Sequence, residues 1–226
     1  VFCEKPLALT SEELDEVEAA AESSDGVLFV GFNRRWSKPV KTLRDHFARG
    51  SGPLVITYRV NAGRLPESHW YHDRRQGGRL IGEVCHFIDT CAAIVGETAT
   101  EVQAAGSGIG EKVLDENLVV TTRYPDGSVA TISYAAAGHP STEKERIDVF
   151  GRGRSGSVVD FRRVELDGKA TTVRPQDKGH VAEVEEFRRQ IRTGESTADE
   201  AIASMRTTLL AAAALHGPDE AAKETF

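Results

Sequence analysis

Methionine is nearly missing from this 226-residue chain: Met205 is the only one, and Val1 rather than an initiator opens the sequence. Long apolar runs are missing too. No stretch approaches the ~20 residues that a helix needs to span a bilayer, and no secretory leader precedes the first helix. The cysteines, Cys3, Cys85 and Cys91, are odd in number and lack metal-ligand spacing. That pattern argues against a structural metal and for reduced thiols in a cytoplasmic protein, each a small buried side chain. Positive charge is in deficit. Against 28 Lys and Arg stand 35 Asp and Glu, a net charge of −7 that speaks against a nucleic-acid partner. Repeats and low-complexity tracts are also lacking. The remaining composition, 39% apolar and 28% charged, suits a globular body with one large core or two modest ones.

Val1-Phe2-Cys3-Glu4-Lys5-Pro6 reads as the end of a buried strand running into a turn. A parallel strand delivers side chains to a site at its carboxyl end in this way. Its neighbouring strands are then expected upstream of residue 1, which makes the chain a piece of a larger protein. Thr10-Ser11-Glu12-Glu13 is a capping box for a helix carrying Leu14, Val17 and Ala21. Val27-Leu28-Phe29-Val30 has the continuous apolar character of a strand buried on both faces, and Gly31-Phe32-Asn33-Arg34-Arg35 follows at its carboxyl end. Ser37 then caps a second helix with Val40, Leu43 and Phe47 inward.

After Pro53 the pattern changes. Leu54 to Asn61 reads as a strand, and an aromatic, basic loop runs to Gly78. A helix from about Leu80 to Val95 carries Ile81, Val84, Ile88, Cys91 and Val95 as its apolar stripe. Strands at 118–124 and 129–135 flank Pro125-Asp126-Gly127, and further strands fall at 147–150, 157–161 and 164–166. Two helices follow. Val181, Val184, Phe187 and Ile191 mark the first, and Thr197-x-x-Glu200 caps the second, with Ile202, Met205 and Leu209 inward until Gly217-Pro218. The expected fold is α+β: the tail of a Rossmann domain over residues 1–50, then a large, mainly antiparallel open-sheet domain over 51–226 with helices on one face.

Three places can carry chemistry. Lys5, held by Pro6 at a strand's carboxyl end, sits where α/β ligands bind, although a Lys-Pro pair is more often an exposed turn. Gly77-Gly78 opens a helix on which Glu83, His86 and Asp89 recur at three-residue steps, placing an imidazole beside carboxylates that can tune it as a general base. The plain alternative is a solvated flank with no role. His69-Trp70-Tyr71-His72 can close over a hydroxylated ligand or simply anchor a loop. A zinc site from His69, His72, Glu83 and His86 lacks tight ligand spacing. Gly151-Arg152-Gly153-Arg154-Ser155-Gly156 matches a dinucleotide fingerprint only literally. It joins two strands, with no helix N-terminus to receive a pyrophosphate.

Glu4-Lys5-Pro6 after one strand, Gly31-Phe32-Asn33-Arg34-Arg35 after the next, and a Gly-Gly helix ending in His86-x-x-Asp89 together resemble the Gfo/Idh/MocA oxidoreductases in order and spacing. The wording around Asn61-Ala62-Gly63, His69-Trp70 and Gly82-Glu83-Val84-Cys85-His86 looks most like a bacterial subgroup fused behind a zinc-type alcohol dehydrogenase portion. The resemblance implies NAD or NADP as cofactor, with its main site upstream. It places Glu4, Lys5, Pro6, Asn33 and Arg35 at the cofactor, and His69, Trp70 and Asp89 at a sugar or polyol substrate. Lys5 corresponds to the lysine that hydrogen-bonds the reacting hydroxyl, and His86 to the histidine that takes its proton. The family usually has aspartate four residues before that histidine, where this chain has Gly82, and Glu83 is expected to reach into the gap and tune His86. A homo-oligomer formed through the sheet is implied as well. The alternative is a non-catalytic association domain in which Glu83 and His86 are remnants.

Overall fold

The computed structural model describes residues 1–66, 68–107 and 116–216, the side chain of Arg74 excepted. The predicted Gly217-Pro218 stop lies outside the described residues. The first fifty residues follow the expected alternation. Strand β1 (Phe2–Cys3) leads to α1 (Ser11–Glu22), whose capping box forms: the Thr10 hydroxyl accepts from Glu13 N–H. Strand β2 (Phe29–Val30) pairs in parallel with β1, and α2 (Lys38–Phe47) begins where the Ser37 hydroxyl accepts from Val40 N–H. Between β2 and α2, Asn33–Trp36 forms one tight helical turn.

An eight-stranded sheet then dominates. Its members are β3 (Leu54–Asn61), β4 (Glu101–Gly106), β5 (Asn117–Arg123), β6 (Val129–Ala135), β7 (Glu145–Gly151), β8 (Arg154–Val159), β9 (Arg163–Leu166) and β10 (Lys169–Thr172). They lie in the order β10-β9-β8-β7-β3-β6-β5-β4, antiparallel throughout except for β3 against β6. Along β3, Leu54, Ile56, Tyr58 and Val60 are buried while Val55, Thr57 and Arg59 face outward, the two-residue period of a half-covered sheet. The covering helices are α2, α3 (Cys85–Val95) and α5 (Ala198–His216). The core holds Leu43, Phe47, Phe87, Ile88, Val120, Ile132, Ile147 and Leu215. A smaller core joins α1, β2 and α5 through Leu14, Val30, Phe32, Ile202 and Met205. The glycine-rich segment at 151–156 is the anticipated hairpin between β7 and β8. Arg152 and Gly153, at φ 54 and φ 68, form its two-residue turn.

Three local expectations need correction. The helix at 80–95 is not uniform: Leu80–Val84 is a π turn, and α3 begins only at Cys85. On α4 (His180–Thr193) the apolar marks Val181, Val184 and Ile191 face outward, Val181 at 75% exposure, while Glu183 and Gln190 are the buried residues. Only Phe187 turns in, meeting Phe2 and Phe29. Thr197 and Glu200 do not form a capping box. The Thr197 hydroxyl accepts from Gln190, and Glu200 reaches Arg35 at 2.8 Å. Strands β4 and β10 were not anticipated, because their sequences are too polar and alanine-rich to signal a strand.

One buried ion network joins the two parts. Glu145, at the start of β7, accepts a two-pronged bond from Arg34 (2.8 and 3.0 Å), one from the Tyr58 hydroxyl (2.7 Å) and one from Lys178 (2.6 Å). Burial alone would raise the Glu145 carboxyl, but Arg34 and Lys178 hold it at about 2. Glu145→Gln is expected to cost about 3–5 kcal/mol at neutral pH, because Arg34 would stay buried without its counter-charge. The stability from this carboxylate is complete above its unfolded value of 4.5 and lost as pH falls toward about 2. Urea unfolding of both proteins should therefore show the gap narrowing on acidification. A constant gap contradicts the assignment.

Candidate active site

The carboxyl ends of the paired strands β1 and β2 supply Glu4-Lys5 on one side and Gly31 to Arg35 on the other. Opposite them lies the π turn that leads into α3. Pro6 follows Lys5 through a cis peptide. The Lys5 ammonium donates to the Gly82 carbonyl at 2.7 Å, so a residue near the beginning reaches the turn that leads into the helix of His86. A π turn widens the helical ring and leaves carbonyls free of the regular i→i−4 ladder, which is why such turns recur at functional sites. The ammonium and the imidazole are thereby brought together.

His86 is 8% exposed, edge-on to Phe32 at 6.0 Å, and its Nδ1 has no hydrogen-bond partner. Burial lowers its pKa well below the usual 6.5, and nearby Arg34, Lys5, His180 and Lys178 lower it further. The ring is neutral at physiological pH and able to accept a proton. The described residues give it no carboxylate partner.

Glu83 does not reach His86. Its carboxylate accepts from the Tyr134 hydroxyl at 2.5 Å and pairs with Lys144 at 3.2 Å, while Arg79 in turn donates to Tyr134 at 2.8 Å. The expectation of three polar residues on one flank assumed 3.6 residues per turn. The π turn rotates Glu83 toward the sheet instead. Asp89 is fully buried, 3.3 Å from the Arg35 Nε and hydrogen-bonded by Ser204 at 3.1 Å, so it is spent on internal pairing. Burial lifts its carboxyl to about 6 against the opposing pull of Arg35.

The other expected residues divide. Asn33 is buried and donates to the Lys178 carbonyl at 2.8 Å, with His180 Nε2 at 3.2 Å, which keeps it beside the group around His86. Arg35 is held by Asp89 and Glu200 and lines a cavity of about 320 Å³ with Trp36, Arg44 and Ser204. Neither Lys5 nor His86 lines that cavity. Glu4 lies against Gly31, where an added Cβ would come within 2.9 Å of its carboxylate. Burial and the charge of Glu4 raise Glu183 to about 7. His69 Nδ1 accepts from Tyr71 N–H, and Trp70, 49% exposed, lies 4.1 Å from the Tyr71 ring. Among the described residues no group of His, Cys, Asp and Glu is arranged to hold a metal ion.

Arg34, Tyr134, Lys178 and His180 belong to this neighbourhood and were not anticipated as site residues, whereas Tyr71 was anticipated only as part of the aromatic loop. Arg34 stood inside the glycine-led motif after β2. Tyr134 was legible only as an inward position of β6. No local signal marked Lys178 or His180. The pH dependence follows from His86. The unfolded chain binds a proton there below about pH 6.5 and the folded chain does not, so the neutral ring's stability is full above that value and declines as pH falls. His86→Leu is expected to remove a slope of up to ~1.4 kcal/mol per pH unit below that value, read from urea midpoints. Identical slopes in both proteins would show that the imidazole is not held neutral.

The described residues thus form an α+β body with helices on one face of a mainly antiparallel sheet, next to a parallel strand pair. Residues 52–157 match the GFO/IDH/MocA C-terminal domain. The chain is 29% identical over 156 residues to myo-inositol 2-dehydrogenase of Thermotoga maritima, covering 67% of this chain and 46% of that protein. The chain thus spans about half the length of that relative. UDP-N-acetylglucosamine 3-dehydrogenase of Acidithiobacillus ferrooxidans superposes with TM-score 0.77 at 20% identity, over 95% of this chain and 70% of that one. An oxidoreductase from Agrobacterium radiobacter, in complex with NAD+, L-tartaric acid and magnesium, superposes with TM-score 0.73 at 15% identity over 96% and 70%. These similarities support the predicted fold: a mixed α+β chain with a large, mostly antiparallel sheet. No helix among the described residues is long and apolar enough to cross a membrane.

Proposed function

We propose that this chain is the C-terminal portion of a cytoplasmic, NAD(P)-dependent oxidoreductase of the Gfo/Idh/MocA type, acting on a CH–OH group of a sugar, polyol or sugar derivative. The observation that carries the reading is the meeting of Lys5 with the turn that leads into the helix of His86. Residues 1–50 are read as the tail of the dinucleotide domain and 51–226 as the substrate and association domain. The bacterial type fused behind a zinc alcohol dehydrogenase portion is part of the same reading.

The residues present suit the reactive end of such a cofactor: two strand ends, an ammonium and a buried imidazole with an unpartnered nitrogen face one region. The spaced-glycine run at 151–156 is a hairpin and offers no pyrophosphate cradle. When bound, a nicotinamide ring supplies the hydride acceptor or donor. Lys5 hydrogen-bonds the substrate oxygen and favours the alkoxide-like state, and neutral His86 takes the hydroxyl proton. Buried surroundings strengthen both interactions.

The outer sheet face supports association of copies. Val55 pairs across the strands with Phe150, which is 54% exposed, and Val119 adds to the same face. A purely structural role for the domain is the competing reading. In full-length protein, His86→Ala is expected to lower turnover by about 10²–10⁴-fold on its preferred polyol, and unchanged turnover on every accepted substrate supports the structural role. The chain by itself should show no micromolar NAD binding by calorimetry. Phe150→Arg should shift sedimentation toward the monomer, and an unchanged sedimentation coefficient argues against the sheet face.

A further inference from the structure

Gly82 lacks a side chain, and its space is taken. A Cβ built there would lie 2.5 Å from Tyr71 Cε1, closer than such atoms approach, and a tight 3.1 Å from Cδ1. The ring fills the place beside the π turn where any other residue would project. Its hydroxyl donates to the Gly82 carbonyl at 3.1 Å, the same oxygen that accepts from Lys5 at 2.7 Å.

We propose that Tyr71 and Gly82 form a matched pair that positions Lys5. This deepens the oxidoreductase reading and rests on it. A carbonyl oxygen has two lone pairs. Tyr71 and Lys5 both donate to it, so the phenol limits the directions from which the ammonium can approach. One N–H of Lys5 is thus anchored to backbone, and two remain for a ligand oxygen on the side of His86. Tyr71 is a positioning residue, since it acts through the carbonyl and not on the reacting atoms.

Other features fit this role. Burial, then Glu83, pushes the Tyr71 hydroxyl up to about 12, so it stays a donor throughout the physiological range. Trp70 at 4.1 Å and His69 at 5.0 Å pack on the ring and hold it over the turn. The aromatic loop therefore reaches the site through its central residue, while Trp70 stays half open to solvent. The pairing also accounts for the glycine: a side chain at position 82 would have to displace the Tyr71 ring. His86 is left without an acidic partner, and Lys5 carries the orienting role alone.

The test uses the full chain with carbon-13-labelled lysine, and the Lys5 signal is identified by its loss in Lys5→Arg. A fixed ammonium arm gives two distinct Hε resonances, and a free arm gives one averaged resonance. The parent is expected to show the split pair, and Tyr71→Phe the averaged one, with thermal midpoints within about 3 °C because a single half-buried hydroxyl is lost. A split pair retained in Tyr71→Phe overturns the proposal. Gly82→Ala is expected to lower the midpoint by colliding with the ring. Tyr71→Ala in the same chain should recover that loss without restoring the split pair, and an additive double variant overturns the matched pairing. Neither readout requires turnover, so an inactive protein and a mobile Lys5 remain distinguishable outcomes.

Discussion

The fold hinges on a carboxylate that cannot leave its cations. Glu145 is buried at the start of a central sheet strand, and its partners come from the turn after β2 and from the segment before α4. Once that carboxylate is desolvated, Arg34 and Lys178 must stay with it, because an uncompensated charge in the interior costs several kcal/mol. The small parallel unit is therefore fixed against the large sheet. From the carboxyl end of β1, Lys5 reaches the π turn at the Gly82 carbonyl. Burial is the main reason His86 stays neutral, and the same cations push it further in that direction.

The π turn is the second constraint. It rotates Glu83 onto Tyr134 and Lys144, and its Gly82 carbonyl accepts from both Lys5 and Tyr71. With a regular helix, Glu83 and His86 would be neighbours at three-residue spacing. The actual arrangement separates them and gives the aromatic loop direct purchase on the site.

Much of the architecture was legible beforehand, for a physical reason. Val27 to Val30, Leu54 to Asn61 and Val129 to Ala135 carry strand periodicity because burial on one or both faces selects it locally. Thr10 and Ser37 announced helices through hydrogen bonds only a few residues long. The exceptions were elements whose burial depends on distant partners. Strands β4 and β10 extend the sheet at its edges with little apolar signal, and the apolar side of α4 faces out while Glu183 and Gln190 turn in.

The site divides along the same line. Residue order and type alone singled out Lys5 and His86 as candidates, since a cation at a strand end and an imidazole on an apolar helix are local patterns. Partner choice was settled only in three dimensions. Glu83 finds Tyr134 across 51 residues, Asn33 finds His180 across 147, and Tyr71 occupies the space of Gly82. Periodicity records which side of its own element a residue faces. Which distant group meets it there depends on how elements pack, and a single π turn suffices to reassign it.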